Sequence, residues 1–198
     1  MILESIVTTV DVNGNVNIAP MGPEVDSDLS CPEGPEKLRL RPFDSSRTYR
    51  NLAETGKAVV HVTDDVGLFA RAAVDALDPD ETKRRVRQLD GTDWWPLKDC
   101  HRWFAVDVES VSSDGPRIDM DCRVIRSEYV RPFFGFNRAM FAVLEAAILA
   151  TRTHLLESCE IERQLTLLQP LIEKTAGPIE REAFEFLCKT IHERYASQ

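Results

Sequence analysis

Val16-Asn17-Ile18-Ala19-Pro20-Met21-Gly22 is the stretch whose reading decides the fold. It is entered through Asn13-Gly14, two residues that tolerate positive φ, after a run from Ile2 to Val12 rich in β-branched side chains. A β-hairpin is expected. Pro20 lacks a ladder donor and Gly22 lacks a Cβ, so the backbone is expected to leave regular pairing at Ala19 to Gly22, where it could lie flat against a planar ligand. The same bend would also serve a barrel turning a corner.

Downstream, Lys37 to Phe43 reads as a strand with Arg39 and Arg41 on one face, and Asp44, Ser45 and Ser46 offer caps for a helix ending at Gly56. The start of such a helix carries free N–H groups and a partial positive charge. With hydroxyls from Ser46 and Thr48, and guanidinium groups from Arg41, Arg47 or Arg50, it suits a phosphate dianion. At a formal net charge of −9 the chain repels phosphate at long range, so a local basic patch is required. An ordinary capped helix with a solvated basic face would carry the same residues.

Three separated segments resemble one family. They are Glu4 to Thr9 with Asn17-Ile18-Ala19-Pro20-Met21-Gly22, then Ser46 to Leu52 with Val59 to Asp65, and then Asn137-Arg138-Ala139 through Arg152. Together they resemble the FMN-binding split β-barrel proteins of the flavin reductase and pyridoxamine oxidase type, and the likeness spans most of the chain. The resemblance implies an α+β fold, with a split β-barrel over residues 1–130 and a C-terminal helical subdomain over 131–198. It also implies FMN as cofactor and a homodimer with FMN near the subunit interface. The candidate cofactor contacts are Asn17, Ala19, Pro20, Met21, Gly22, Arg41, Ser46, Thr48, Asn51 and Thr63. His61 departs from the pattern, which has Asn at that point of the strand.

Composition narrows the functional class. With 43% hydrophobic and 29% charged residues, 198 residues can bury a core. No apolar run approaches the ~18 residues of a membrane span, and Met1-Ile2-Leu3-Glu4 lacks the basic start and apolar core of a signal peptide, so a cytoplasmic protein is expected. Cys31, Cys100, Cys122, Cys159 and Cys188 are scattered without paired spacing, and the histidines form no metal-binding pattern; reduced thiols and no metal are expected. Net acidity and a basic run (Lys83, Arg84, Arg85, Arg87) without interleaved aromatic residues argue against nucleic acid.

The rest of the chain alternates strands and helices. Lys57 to Thr63 reads as a strand, Asp64 or Asp65 as a cap for a helix through Val66, Phe69, Ala70, Ala73 and Leu77, and Glu81 to Leu89 as a charged helix. Trp94 and Trp95 stand in a polar loop, where they could cover a flavin, fill a dimer seam or pack in the core. Trp103 to Val111 and Arg117 to Val130 pair across Ser112-Ser113-Asp114-Gly115-Pro116. Beyond Arg131 the period becomes helical: Phe141, Leu144, Ile148 and Leu155 line one face, with Ala142, Ala146, Ala147 and Ala150 allowing close approach. A second helix is expected to be disturbed at Pro170, and a third to start at Pro178. Arg138, Glu145, Thr151 and Arg152 read as ion-pair formers or substrate contacts.

No Ser/His/Asp or Cys/His spacing demands acid–base or nucleophilic catalysis, so no catalytic residue is named. The expected function is that of an FMN-dependent oxidoreductase with a small-molecule electron donor or acceptor. The alternatives are a non-enzymatic flavin carrier or sensor, and a split barrel that takes haem or a deazaflavin.

Overall fold

The computed structural model describes residues 1–25, 34–113 and 115–197. Cys31, Asp114 and half of the Pro- and Gly-containing stretch from Pro20 to Pro35, which reads as an irregular loop, lie outside them. β1 (Ser5–Val10) and β2 (Val16–Met21) pair antiparallel, with Val7 opposite Ala19 and Thr9 opposite Asn17. Their turn needs only one left-handed residue. Gly14 (φ 82°) donates its N–H to the Asp11 carbonyl at 3.0 Å, while the Asp11 carboxylate accepts the N–H groups of Asn13 and Asn15, so Asn13 keeps a negative φ.

Pairing runs further than the sequence reading expects. Pro20 lies opposite Ile6 and Met21 opposite Ser5, so the chain leaves the ladder at Gly22 rather than across Ala19 to Gly22. β2 ends the strand order, and on that open side the missing Pro20 donor leaves no gap in a ladder. A Cβ on Gly22 would stand 2.6 Å from Ile2 Cγ2, so a glycine suits this close pass. Past it, Glu24 exchanges backbone hydrogen bonds with Arg39 at 2.8 and 2.9 Å and bridges to Ile2, which ties the far edge of the sheet back toward β1. The bend turns a barrel corner.

The remaining elements are β3 (Lys37–Leu40), α1 (Arg47–Thr55), β4 (Lys57–Val62), α2 (Val66–Ala73), α3 (Pro79–Arg85), β5 (Arg102–Ser113), β6 (Ile118–Tyr129), α4 (Arg138–Thr151), α5 (Ser158–Thr175) and α6 (Pro178–Ala196). The strands form one antiparallel sheet in the order β2-β1-β4-β5-β6-β3. Alternation along β4 and β5 serves two cores. Ala58, Val60, Phe104 and Val106 join Val7, Leu38, Leu40 and Met120 beneath Leu52 of α1, while Val59, Trp103 and Ala105 pack with Leu89 and Cys100 on the opposite face.

That opposite face is covered by the segment after α3. The helix expected through Leu89 stops at Arg85, because Val86 turns extended (φ −109°, ψ 162°) and bridges Leu97. The resulting strap brings the Trp94 indole N–H to the Val106 carbonyl at 3.2 Å and the Trp95 carbonyl to the Thr8 hydroxyl at 2.7 Å. Both tryptophans are half-buried against the barrel.

The chain divides into two compact units, Met1–Thr63 with Asp78–Phe133, and Asp64–Leu77 with Phe134–Gln198. The second is a helical bundle that recruits α2 from the middle of the chain. Asp65 caps α2 through the Leu68 N–H at 2.8 Å, and Val66 and Ala70 enter a core with Val143, Ala146, Ile161, Phe184, Leu187 and Ile191. Of two helical expectations, one is corrected here and the other, close approach at the alanines of α4, is met. α5 continues through Pro170, an exposed position where water can take up the carbonyl that proline leaves unbonded. In α4 the alanine face is the buried one, with Ala139, Ala142, Ala146 and Ala150 fully enclosed, whereas Phe141 and Leu155 are 49% and 70% exposed. Small side chains let the neighbouring helices approach the backbone, and that contact takes precedence over the larger apolar face.

Candidate cofactor site

The candidate contacts separate into three groups. Asn17, Thr48 and Asn51 are brought together and buried at the junction of α1 with β1 and β2. Asn17 Nδ2 donates to Thr48 Oγ1 at 3.1 Å, and Asn51 Nδ2 donates to Thr9 Oγ1 at 3.0 Å. Thr9 and Asn17 are themselves cross-strand partners, so four side chains form one polar clasp that seats the helix on the hairpin. Burial leaves these groups dependent on one another for hydrogen bonding. Their direct duty is to fix the start of α1.

Ala19, Pro20, Met21 and Gly22 form the second group, half-buried on the open edge strand β2; Met21 packs against the barrel core, and Gly22 passes over Ile2. Thr63, half-buried, directly follows β4. The third group holds the charges. Arg41 Nε donates to Asp119 at 2.7 Å and Nη1 to Glu24 at 3.2 Å, and the Asp119 carboxylate raises the Arg41 pKa above its ordinary value. Arg39 does likewise with Asp121 at 2.8 Å. Arg41 is therefore largely neutralised by carboxylates far away in sequence, a partnership no local pattern announces.

The basic groups that stay open are others. Ser46 caps α1, accepting from the Tyr49 N–H at 3.0 Å and donating to the Phe43 carbonyl at 2.7 Å. Among the hydrogen bonds of the described residues, the N–H groups of Arg47 and Thr48 in the first turn have no acceptor. Arg47 and Arg50 are exposed and form no ion pair among the described residues. Arg117 lies alongside the same turn: its guanidinium stacks 4.4 Å from the Phe43 ring, its neighbour Pro116 accepts from the Asp44 N–H at 3.4 Å, and Ile118 N–H donates to the Pro42 carbonyl at 3.0 Å. Sequence reading missed Arg117, because only the barrel closure brings residue 117 beside residues 42–44. Two open N–H groups with the exposed guanidinium groups of Arg47 and Arg50, and with Arg117, whose Nη1 also donates to the Arg41 carbonyl at 3.4 Å, are a donor set that fits a phosphate dianion.

His61 is the departure from the family pattern, and its role is structural. Fully buried, it donates from Nδ1 to the Ile6 carbonyl at 2.9 Å and accepts the Leu97 N–H at Nε2 at 2.9 Å, stapling the strap to the sheet. Leu97 can only donate, so the ring is neutral. Burial lowers its pKa from 6.5 to about 4. Among the described residues no three His, Cys, Asp or Glu side chains gather as a metal-ion set.

Solved structures share this architecture. The FMN-bound protein MM1853 from Methanosarcina mazei, of the DUF447 family, matches at 23% identity with a TM-score of 0.79, covering 96% of this chain and 94% of that one. Nitrilotriacetate monooxygenase component B from Bacillus cereus matches at 18% identity and TM-score 0.51 over 65% of this chain and 70% of its own. Flavin reductase HpaC complexed with NADP+ matches at 17% and 0.53 over 68% and 83%. The fold is thus the α+β split β-barrel of flavin reductase-like proteins with C-terminal helices. A family model described as "Protein of unknown function (DUF447) N-terminal domain" matches residues 3–131, and one described as "Protein of unknown function (DUF447)" matches residues 137–189; the chain belongs to the DUF447 family.

Proposed function

We propose that this chain binds FMN and acts as a flavin-dependent oxidoreductase toward a small-molecule electron donor or acceptor, as a cytoplasmic homodimer. The observation that carries the reading is the open donor set at α1, within a fold whose neighbours include an FMN-bound protein and a flavin reductase. In it the FMN phosphate meets the N–H groups of Arg47 and Thr48 and the guanidinium groups of Arg47, Arg50 and Arg117. Asn17, Thr48 and Asn51 hold that turn in place, Ser46 shapes it, and Ala19 to Gly22 with Thr63 provide the half-buried wall for the flavin. Arg41 supports the site by keeping Asp119 and Glu24 occupied. Bound FMN would carry the hydride or electrons, and the protein's own share is position, polarity and exclusion of water. Free thiols at Cys100, Cys122, Cys159 and Cys188 suit a reducing cytoplasm.

The test is titration with FMN and with riboflavin, which lacks the phosphate, followed by NAD(P)H oxidation with candidate acceptors. Tight FMN binding and much weaker riboflavin binding are expected. A rise in melting temperature with haem or a deazaflavin but not with FMN would reassign the cofactor. FMN binding without any turnover would leave a carrier or sensor.

A further inference from the structure

We propose that the strap from Val86 to Lys98 is a latch on the cofactor site: FMN at the start of α1 and the closed strap stabilise each other through β1. This rests on the FMN reading above and adds a regulating element to that site. The strap holds itself together. Arg87 N–H donates to the Pro96 carbonyl at 3.0 Å, Leu89 N–H to the Trp94 carbonyl at 3.0 Å and Lys98 N–H to the Arg85 carbonyl at 2.8 Å, so its two legs stay joined whether or not they touch the sheet. Its polar hold on the barrel is by a few separate bonds: Leu97 N–H to His61 Nε2, the Thr8 hydroxyl to the Trp95 carbonyl, and the Trp94 indole to the Val106 carbonyl. Closure is opposed by one group. Trp103, fully buried in one cluster with Leu89 and Trp94 of the strap, keeps its indole N–H without an acceptor among the described residues. Water satisfies that donor once the strap lifts, which brings the open form nearer in free energy than the apolar contacts alone would set it.

β1 joins the latch to the site. Thr8 and Thr9 are consecutive on a strand, so their side chains stand on opposite faces, and both are buried. Thr8 holds the strap at 2.7 Å, while Thr9 accepts from Asn51 of α1 at 3.0 Å and lies opposite Asn17, which holds Thr48 at 3.1 Å. The Thr48 N–H is one of the two open donors for the phosphate. β1 is thus fastened at Thr8 from one side and at Thr9 from the other, and a ligand that orders one fastening favours the second. Such coupling is reciprocal: the factor by which strap closure tightens FMN is the factor by which FMN favours closure.

The experiment reads the coupling in both directions. Thr8→Val keeps the branched shape and deletes the bond to Trp95, and it is expected to weaken FMN binding roughly fivefold or more in fluorescence titration. Thr8→Ser, which keeps the hydroxyl, is expected to bind as the parent does. In the parent, saturating FMN is expected to slow amide hydrogen exchange at Leu97 roughly fivefold or more without denaturant, and to slow it less at Val124, whose N–H bonds the Glu36 carbonyl with no part in the strap. Thr8→Val that binds FMN as tightly as the parent, or Thr8→Ser that is weakened as much as Thr8→Val, would overturn the latch. So would Leu97 exchange that ignores bound FMN or slows only in step with Val124. Each of these outcomes leaves the cofactor in place, whereas a parent that binds no FMN in the same titration would overturn the cofactor reading and the latch together.

Discussion

At the scale of single residues, the decisive fact is which charged or polar groups are already spoken for. His61 is spoken for twice, and its neutral form is the one the barrel needs. Its folded pKa of about 4 lies below the ordinary 6.5, so between these values the unfolded chain binds the extra proton. The stabilisation is complete above pH 6.5 and disappears as pH falls toward about 4, a difference of about 3 kcal/mol. Denaturant unfolding of the parent and of His61→Gln checks this: the parent's stability relative to the variant should shrink over that window, and a pH-independent difference would refute it. For the phosphate grip, Arg117→Ala should weaken FMN binding roughly ten- to a hundredfold, as expected for one charge-assisted hydrogen bond, with riboflavin binding unchanged. Arg41→Ala should weaken it less, since two carboxylates already hold Arg41. The reverse order in fluorescence titrations would return the phosphate to Arg41.

Elements are held by clasps of a few residues. α1 is seated by the Asn17–Thr48 and Asn51–Thr9 bonds in a buried site, so Asn51→Ala removes one bond and leaves the Thr9 oxygen without its partner. A loss of roughly 1–3 kcal/mol is expected, measured by urea unfolding; a change within experimental error would show that packing alone seats the helix. Pro170 is the contrary case. It stands on the solvent side of an unbroken helix, so Pro170→Ala should restore one hydrogen bond and raise stability by about 1 kcal/mol or more. Lower stability in that variant would mean that the proline's restriction of the unfolded chain outweighs the missing bond.

For the whole molecule, three hydrophobic cores described above, two on the faces of β4 and β5 and one in the bundle, and a barrel seam replace any single organising motif. The seam at Glu24, Arg39 and Arg41 joins segments distant in sequence, and the bundle core admits α2 from within the barrel's own stretch of chain. FMN that binds only the folded chain should raise its unfolding free energy by about 2.7 kcal/mol at a hundredfold excess over the dissociation constant. Calorimetry with and without FMN reads this, and an unmoved transition would exclude FMN as the ligand.

The amino-acid sequence determined what depends on near neighbours: the turn at Asn13-Gly14, a cap for α1 among Asp44, Ser45 and Ser46 and one for α2 at Asp64 or Asp65, the strands β4 and β5, the period change after Arg131 and the start of α6 at Pro178. These are local because a cap or a turn closes its hydrogen bonds within a few residues. The regular pairing of β2 through Pro20 depends on β2 having no outer neighbour, which strand order alone decides. Arg41 reads as a free cation until the barrel sets Asp119 and Glu24 beside it, and Arg117 reads as the first residue of a strand until the same closure sets it over Phe43, in the turn ahead of α1. The face of α4 that goes inside is likewise chosen by how closely its neighbours can approach, not by which side chains are largest. Tertiary structure decided these because each depends on which distant groups share a low-dielectric, close-packed space, and chain proximity carries no record of that.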